Sequence, residues 1–176
     1  PIADFTGNSR PEEDLEGIFF RTRLCSLNVS GSSWTNGPME SKKLAWGILG
    51  PGKIANQFSE GIRKSESSRL VAVGSRSLER AEAFIQAEGG ERAYGSYEEL
   101  LADSGVDAIY VATPHPMHVE WAIKAAEAGK QVLCEKPVGV NLGEADAIFE
   151  AGAVHGVFIM EAFMYRCHPQ TRKILD

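Results

Sequence analysis

The sequence predicts an α/β fold, a doubly wound parallel sheet with helices on both faces and with only the start of a second α/β domain present. Three observations carry this. From Lys42 onward, short continuous apolar runs alternate with amphipathic segments. Runs without alternating polar residues suit strands buried on both faces, which is the condition of a parallel sheet. The segments between them carry apolar residues four apart, as at Ile54, Phe58 and Ile62, which stack on one helix face. Finally, the first apolar run enters Gly50-Pro51-Gly52-Lys53-Ile54-Ala55 and a helical segment leaves it.

The elements follow in chain order. LAWGILG (44–50) reads as a buried strand and KIANQFSEGIRKS (53–65) as a helix. RLVAVGSR (69–76) is a strand, and SLERAEAFIQAEG (77–89) a helix with Ser77 as its N-cap and Gly89 as its stop. RAYGS is a short strand that leads into the short helix YEELLADSG. VDAIYVAT (106–113) is a strand, followed by a helix over 116–130 that ends at Gly129. QVLCEKP (131–137) is a strand, 142–156 a helix capped by Asn141, and VFIMEAF (157–163) a strand. TRKILD at the end again reads as helix. Right-handed crossovers between parallel strands place a ligand crevice at the carboxyl ends of the strands. Trp46, Trp121 and Phe149 are read as core.

Residues 1–41 have a different character. PIADFTGNSRPEEDLEG is polar and turn-rich, IFFRTRLCSLNV suits a strand or a short helix, and SGSSWTNGPMES is a loop composition. The order of a secretory signal is not recognisable there. This leader is expected to lie outside the fold, at least over 1–38. A start at Pro1 and a helical pattern still running at Asp176 give the expectation of a piece of a longer chain.

Composition narrows the function classes. The chain has 176 residues with 43% apolar and 24% charged content, ordinary for a globular domain. A net charge of −6 disfavours nucleic acid and anionic membrane surfaces as partners. No apolar run approaches the roughly 20 residues of a membrane span. Cys25, Cys134 and Cys167 are scattered, without a CxxC pair, so no metal site is expected and a reducing, cytoplasmic setting is.

The glycine turn is of the type G-x-G-x-x-A. Gly50 permits the tight turn, Gly52 lets a pyrophosphate approach the backbone, and Ala55 lets the helix pack close to the strand. The first-turn N–H groups from Lys53, Ile54 and Ala55 then face the phosphates along the helix dipole. A tight strand–helix corner explains the glycines alone; their place between the first strand and first helix of a βαβ unit favours the phosphate site. An NAD reader usually has a carboxylate at the end of the second strand, roughly 20 residues on. Here stand Gly74-Ser75-Arg76-Ser77, with Arg80 one turn later. A guanidinium and hydroxyls in that place suit a 2′-phosphate, so NADP is favoured over NAD.

The fourth and fifth strands end at Ala112-Thr113-Pro114-His115-Pro116-Met117-His118 and at Cys134-Glu135-Lys136-Pro137, and both ends point into the crevice. With GPGKIA, VATPHPMH, AGKQVLCEKPVGVN and EAFMYRCHPQ in this order, residues 42–176 resemble the Gfo/Idh/MocA oxidoreductases. GSRS and EAFMYR are most similar to the NADP-dependent trans-dihydrodiol dehydrogenases and sugar dehydrogenases.

The resemblance implies a Rossmann domain over 42–160, and 161–176 as the first helix of a substrate domain with a large open antiparallel sheet that often carries the dimer contact. It implies that Lys136 is the catalytic lysine, assisting proton transfer if burial brings it toward neutrality, with a bond to Pro137 that is often cis. Glu135 would hold a ribose hydroxyl or orient Lys136. Ala112, Thr113, Pro114 and His115 would line the nicotinamide half of the crevice. His118 either faces substrate or caps its helix. Arg166 resembles a family arginine near the cofactor, while Tyr165 and His168 suit either substrate binding or packing. The acid/base partner would lie beyond Asp176. Hydride transfer to or from a sugar, polyol or cyclic diol is the implied activity; a non-catalytic NADP-binding module, or an inactive fragment lacking its substrate domain, is the alternative.

Overall fold

The computed structural model describes residues 43–175; the leader read over 1–41 lies outside them. Six strands form one sheet: β1 (Leu44–Leu49), β2 (Ser68–Gly74), β3 (Arg92–Tyr94), β4 (Ala108–Val111), β5 (Gln131–Cys134) and β6 (Ile159–Glu161). Their order is β3-β2-β1-β4-β5-β6, and every pairing is parallel. The order reverses at β1, which places the crevice between the carboxyl ends of β1 and β4.

The helices divide between the two faces. On one, α1 (Lys53–Lys64) and α2 (Leu78–Glu88) press Ala55, Ala81 and Phe84 onto Ile48, Val73 and Tyr110. On the other, α3 (Tyr97–Leu101), α4 (His118–Glu127) and α5 (Leu142–His155) bury Leu100, Trp121, Ala122 and Ile148 against Leu49, Val71, Ile109 and Val132. Strand side chains point alternately to the two layers, so continuous apolar runs serve both. A short helix α6 (Pro169–Leu175) follows β6.

Three expectations need correction. The strands stop earlier than their apolar runs: β4 ends at Val111 rather than 113, and β5 at Cys134 rather than 137. Pro114 and Pro137 have no N–H to give to a ladder, so the chain leaves the sheet before each of them. The helix read from 116 begins with a 3₁₀ turn, His115–Met117, before α4. Phe149 is 45% exposed and is not core: its neighbour Ile148 takes the buried face of α5, and a residue one step on lies about 100° around the helix. Trp121 is buried edge-on to Tyr97, and half-buried Trp46 meets Phe58 edge-on while its Nε1 donates to Ser68 Oγ.

Candidate functional site

The crevice is built from loops that leave the carboxyl ends of β1, β2, β4 and β5. At β1 the chain turns on Gly50, with φ +91° and its N–H donated to Gly74 O at 3.0 Å. A Cβ there would stand 3.0 Å from Ala112 O and 3.1 Å from Thr113 N, main-chain atoms that cannot give way. Gly50 is therefore required by both its backbone angle and its neighbours. Gly52 is the N-cap of α1, and a Cβ on it would meet nothing within 4 Å. The space above Gly52 is open.

The first intrahelical bond of α1 runs from Asn56 N to Gly52 O. The N–H groups of Lys53, Ile54 and Ala55 precede it and have no partner inside the helix. No side chain caps this helix and no acid sits in its first turn. Ala55 is fully buried, which lets α1 lie close to the sheet. The arrangement fits a pyrophosphate: open space, free donors and an uncompensated positive helix end.

At β2 the side chains separate. Arg76 and Arg80 are exposed at the crevice, and Arg80 Nη2 reaches Pro51 O at 3.4 Å. Between α1 and α2 lies a cleft of about 390 Å³ with Gly52, Lys53 and Asn56 on one wall and Arg80 and Phe84 on the other. Ser75 departs from its expected role. It is 3% exposed, and its hydroxyl accepts from Ser77 N at 3.4 Å, so it shapes the turn that presents Arg76 and offers no hydroxyl to the crevice.

At β4, Thr113 is buried and its Oγ1 has no partner; His115 Nε2 is likewise buried and unpaired. Buried polar atoms are rarely left so; Thr113 adjoins the glycine turn, its main chain 3.1 Å from where a Cβ on Gly50 would stand. Ala112 N donates to Leu49 O, which joins this loop to β1, and exposed Pro114 caps the 3₁₀ turn. His118 is corrected. It neither faces a substrate nor caps α4: it is 2% exposed, with Nδ1 2.9 Å from Pro137 O and Nε2 3.0 Å from Thr113 O.

At β5, Lys136 is exposed, and its bond to Pro137 is cis. Glu135 Oε2 accepts from Lys136 N at 3.2 Å, and its Oε1 accepts from the hydroxyl of buried Tyr110. Burial and the carboxylate push that hydroxyl well above the usual phenol range. Glu135 is thus held between the Tyr110 hydroxyl and the main chain of Lys136. Burial, with Glu135 and Glu161 nearby, pushes the Cys134 thiol up to about 12, which keeps it inert.

Arg166 and Tyr165 lie beyond β6, at the far edge of the sheet from the glycine turn, on a 3₁₀ turn over Met164–Cys167. Both side chains are exposed; Tyr165 leans on Phe163 at 5.5 Å. The structure does not bring either onto Lys136. His168 is exposed, and its Nδ1 accepts from Gln170 N.

Sequence reasoning missed Tyr110, Glu161 and an apolar cavity. Glu161 Oε1 accepts from Val138 N at 2.9 Å and so holds the loop after Lys136. A tyrosine in the run DAIYVAT and a carboxylate closing the last strand were the available signals. The cavity, of about 600 Å³, lies on the α1 face of the sheet among Trp46, Phe58, Tyr110, Leu133, Met160 and Phe163. Among the described residues no group of three or more His, Cys, Asp or Glu could hold a metal, and no helix is long and apolar enough to cross a membrane.

Residues 44–163 match the family described as "Oxidoreductase family, NAD-binding Rossmann fold" (Gfo/Idh/MocA). The trans-1,2-dihydrobenzene-1,2-diol dehydrogenase of Mus musculus is 45% identical over 128 residues, 72% of this chain and 38% of its own length. The D-xylose 1-dehydrogenase (NADP(+)) 2 of Haloferax volcanii is 40% identical over 133 residues, 76% of this chain and 41% of its own. Among solved structures, KijD10, a 3-ketoreductase from Actinomadura kijaniata in complex with NADP and TDP-benzene, superimposes with a TM-score of 0.72 at 34% identity, covering 76% of this chain and 41% of that one. The chain spans about 40% of the length of the curated relatives it matches.

Proposed function

This chain belongs to the Gfo/Idh/MocA oxidoreductases, and from that premise we propose that it is the nucleotide-binding part of an NADP-dependent enzyme acting on a sugar, polyol or cyclic diol. The observation that carries the proposal is the open N-terminus of α1 at Gly52, with Arg76 and Arg80 exposed at the end of the next strand. Relatives named for xylose and dihydrobenzenediol, and a ketoreductase solved with NADP, support the substrate class and the choice of cofactor. Residues 42–160 are the cofactor domain in this reading, and 161–176 the start of a substrate domain that would also carry any self-association. The scattered cysteines and acidic composition support a cytoplasmic setting without nucleic-acid partners.

The nicotinamide, when bound, supplies the hydride chemistry. The chain's own residues do the rest. Gly50 and Gly52 with the first-turn amides of α1 hold the pyrophosphate. Arg76, helped by Arg80, pairs with the 2′-phosphate. Ala112, Thr113, Pro114 and His115 line the nicotinamide end. Lys136 Nζ bonds the reacting oxygen of the substrate and holds or passes its proton. The exposure of Lys136 favours a second reading for this chain alone: a module that binds NADP without turnover until a substrate domain closes over the lysine. In a protein that joins this chain to such a domain, Lys136→Ala should lower kcat at least 100-fold, on the order of a lost acid–base group, and leave NADPH affinity within about twofold. Unchanged kcat contradicts the role of Lys136.

A further inference from the structure

Among the described residues, Glu135 is the one charged side chain lining the cavity on the α1 face of the sheet, beside Trp46, Phe58, Leu133 and Met160. A carboxylate turned toward such a wall is costly unless its oxygens are bonded. Each oxygen has a donor: Oε1 accepts from the Tyr110 hydroxyl, and Oε2 accepts from Lys136 N at 3.2 Å.

The sheet does not depend on this pair. Strands β4 and β5 are in register from Ala108↔Gln131 to Val111↔Cys134, and the ladder closes with Glu135 N donating to Val111 O at 3.0 Å. The core does not depend on the hydroxyl either. The Tyr110 side chain is buried and its ring stacks on Phe58 with centroids 4.0 Å apart, a contact that a phenylalanine would keep. Among the described residues the hydroxyl has one bond, to Glu135. Its contribution therefore passes through that carboxylate, whose other oxygen holds the first N–H beyond the ladder.

That N–H belongs to Lys136. Pro137 has none to give, and the next, of Val138, goes to Glu161 Oε1 at 2.9 Å. Carboxylates from the ends of β5 and β6 thus take the N–H groups on both sides of Pro137. The loop that carries Lys136 is held by side chains at the point where the sheet stops holding it.

We propose that Tyr110 is a positioning residue: its hydroxyl fixes the Glu135 carboxylate, and the carboxylate fixes the main chain of Lys136 where it leaves the sheet. The side chain of Lys136 then enters the crevice from a set point. What that serves in hydride transfer rests on the function proposed above; the chain of bonds from Tyr110 through Glu135 to Lys136 does not.

The test uses the chain free of nucleotide: wild type, Tyr110→Phe, Glu135→Ala and the double variant, read by amide hydrogen exchange. The Lys136 amide should exchange about tenfold faster in Tyr110→Phe and in Glu135→Ala than in wild type, the worth of one charge-assisted hydrogen bond. In the double variant it should be no faster than in Glu135→Ala, because the hydroxyl acts only through the carboxylate. Amides inside β4 and β5, and that of Val138 on Glu161, should stay within about twofold of wild type, as a local opening requires. In a protein that joins this chain to a substrate domain, Tyr110→Phe should lower kcat about tenfold and leave KM and NADPH affinity within about twofold, a split that a loss of general stability does not give. An unchanged Lys136 amide overturns the proposal. Loss of protection spread through β4 and β5 overturns it too, as does a Tyr110→Phe chain that does not fold, since either makes the hydroxyl a support of the sheet. Additive effects of the two substitutions, or an unchanged kcat, also contradict it. Exchange is read without nucleotide or substrate, so a joined protein that shows no turnover counts against the proposed function and leaves the exchange result to decide here.

Discussion

Two helices start at the same edge of the sheet and start differently. Helix α1 begins on Gly52, without a side-chain cap and without an acid in its first turn. Helix α2 begins on Ser77, whose hydroxyl accepts the N–H of Arg80, with Glu79 in the first turn. Helices α3 and α5 follow α2, capped by Ser96 and Asn141 with Glu98, Glu99 and Glu144 beside them. A side-chain cap typically contributes about 1 kcal/mol, and an acid in the first turn a further fraction. At α1 the chain forgoes both. The difference is explained if the donors of α1 are kept for an anion that comes from outside, while α2, α3 and α5 are closed by caps of their own.

The sharpest way to break this contrast is to close α1 from within. Gly52→Asp introduces a good N-cap where a Cβ meets no neighbour, so thermal stability should hold or rise by a few tenths of a kcal/mol. NADPH affinity should fall at least about 100-fold, because the carboxylate takes the donors and repels the phosphates. Calorimetric titration beside a melting curve reads both; loss of affinity with loss of fold would remove the argument. The mirror experiment opens α2. Ser77→Ala should cost about 0.5–1 kcal/mol in urea unfolding and leave NADPH affinity within about twofold. A tenfold loss of affinity would place Ser77 on the ligand and erase the distinction between the two helix starts.

Much of this contrast was legible in the sequence. The glycine spacing, the continuous apolar strands and the caps Ser77 and Asn141 are local features, set by residues a few positions apart. The doubly wound order followed from the same periodicity and the handedness of crossovers. What was not legible depends on meetings across the fold. His118 was read as a residue for substrate or a cap because its two partners, Thr113 and Pro137, lie 5 and 19 residues away. Tyr110 went unread because its hydroxyl's partner, Glu135, is brought to it only by the loop from β5, 25 residues on. Ser75 looked like a ligand hydroxyl, but a bend after β2 turned it onto Ser77 N. Phe149 was taken as core because an aromatic in an apolar helix usually is, whereas α5 buries only a narrow stripe around Ile148 and Gly152.

The central claim is that the crevice reads a 2′-phosphate through Arg76. The measurement that tests it most directly is side-by-side titration of the chain with NADPH and NADH, followed by nicotinamide fluorescence, in wild type and Arg76→Ala. The account predicts that wild type binds NADPH at least about tenfold more tightly than NADH, as one charge-assisted pair would give. Arg76→Ala should erase most of that preference and leave NADH binding within about twofold. Equal affinity of the wild type for the two nucleotides, or a preference for NADPH that survives Arg76→Ala, would contradict it.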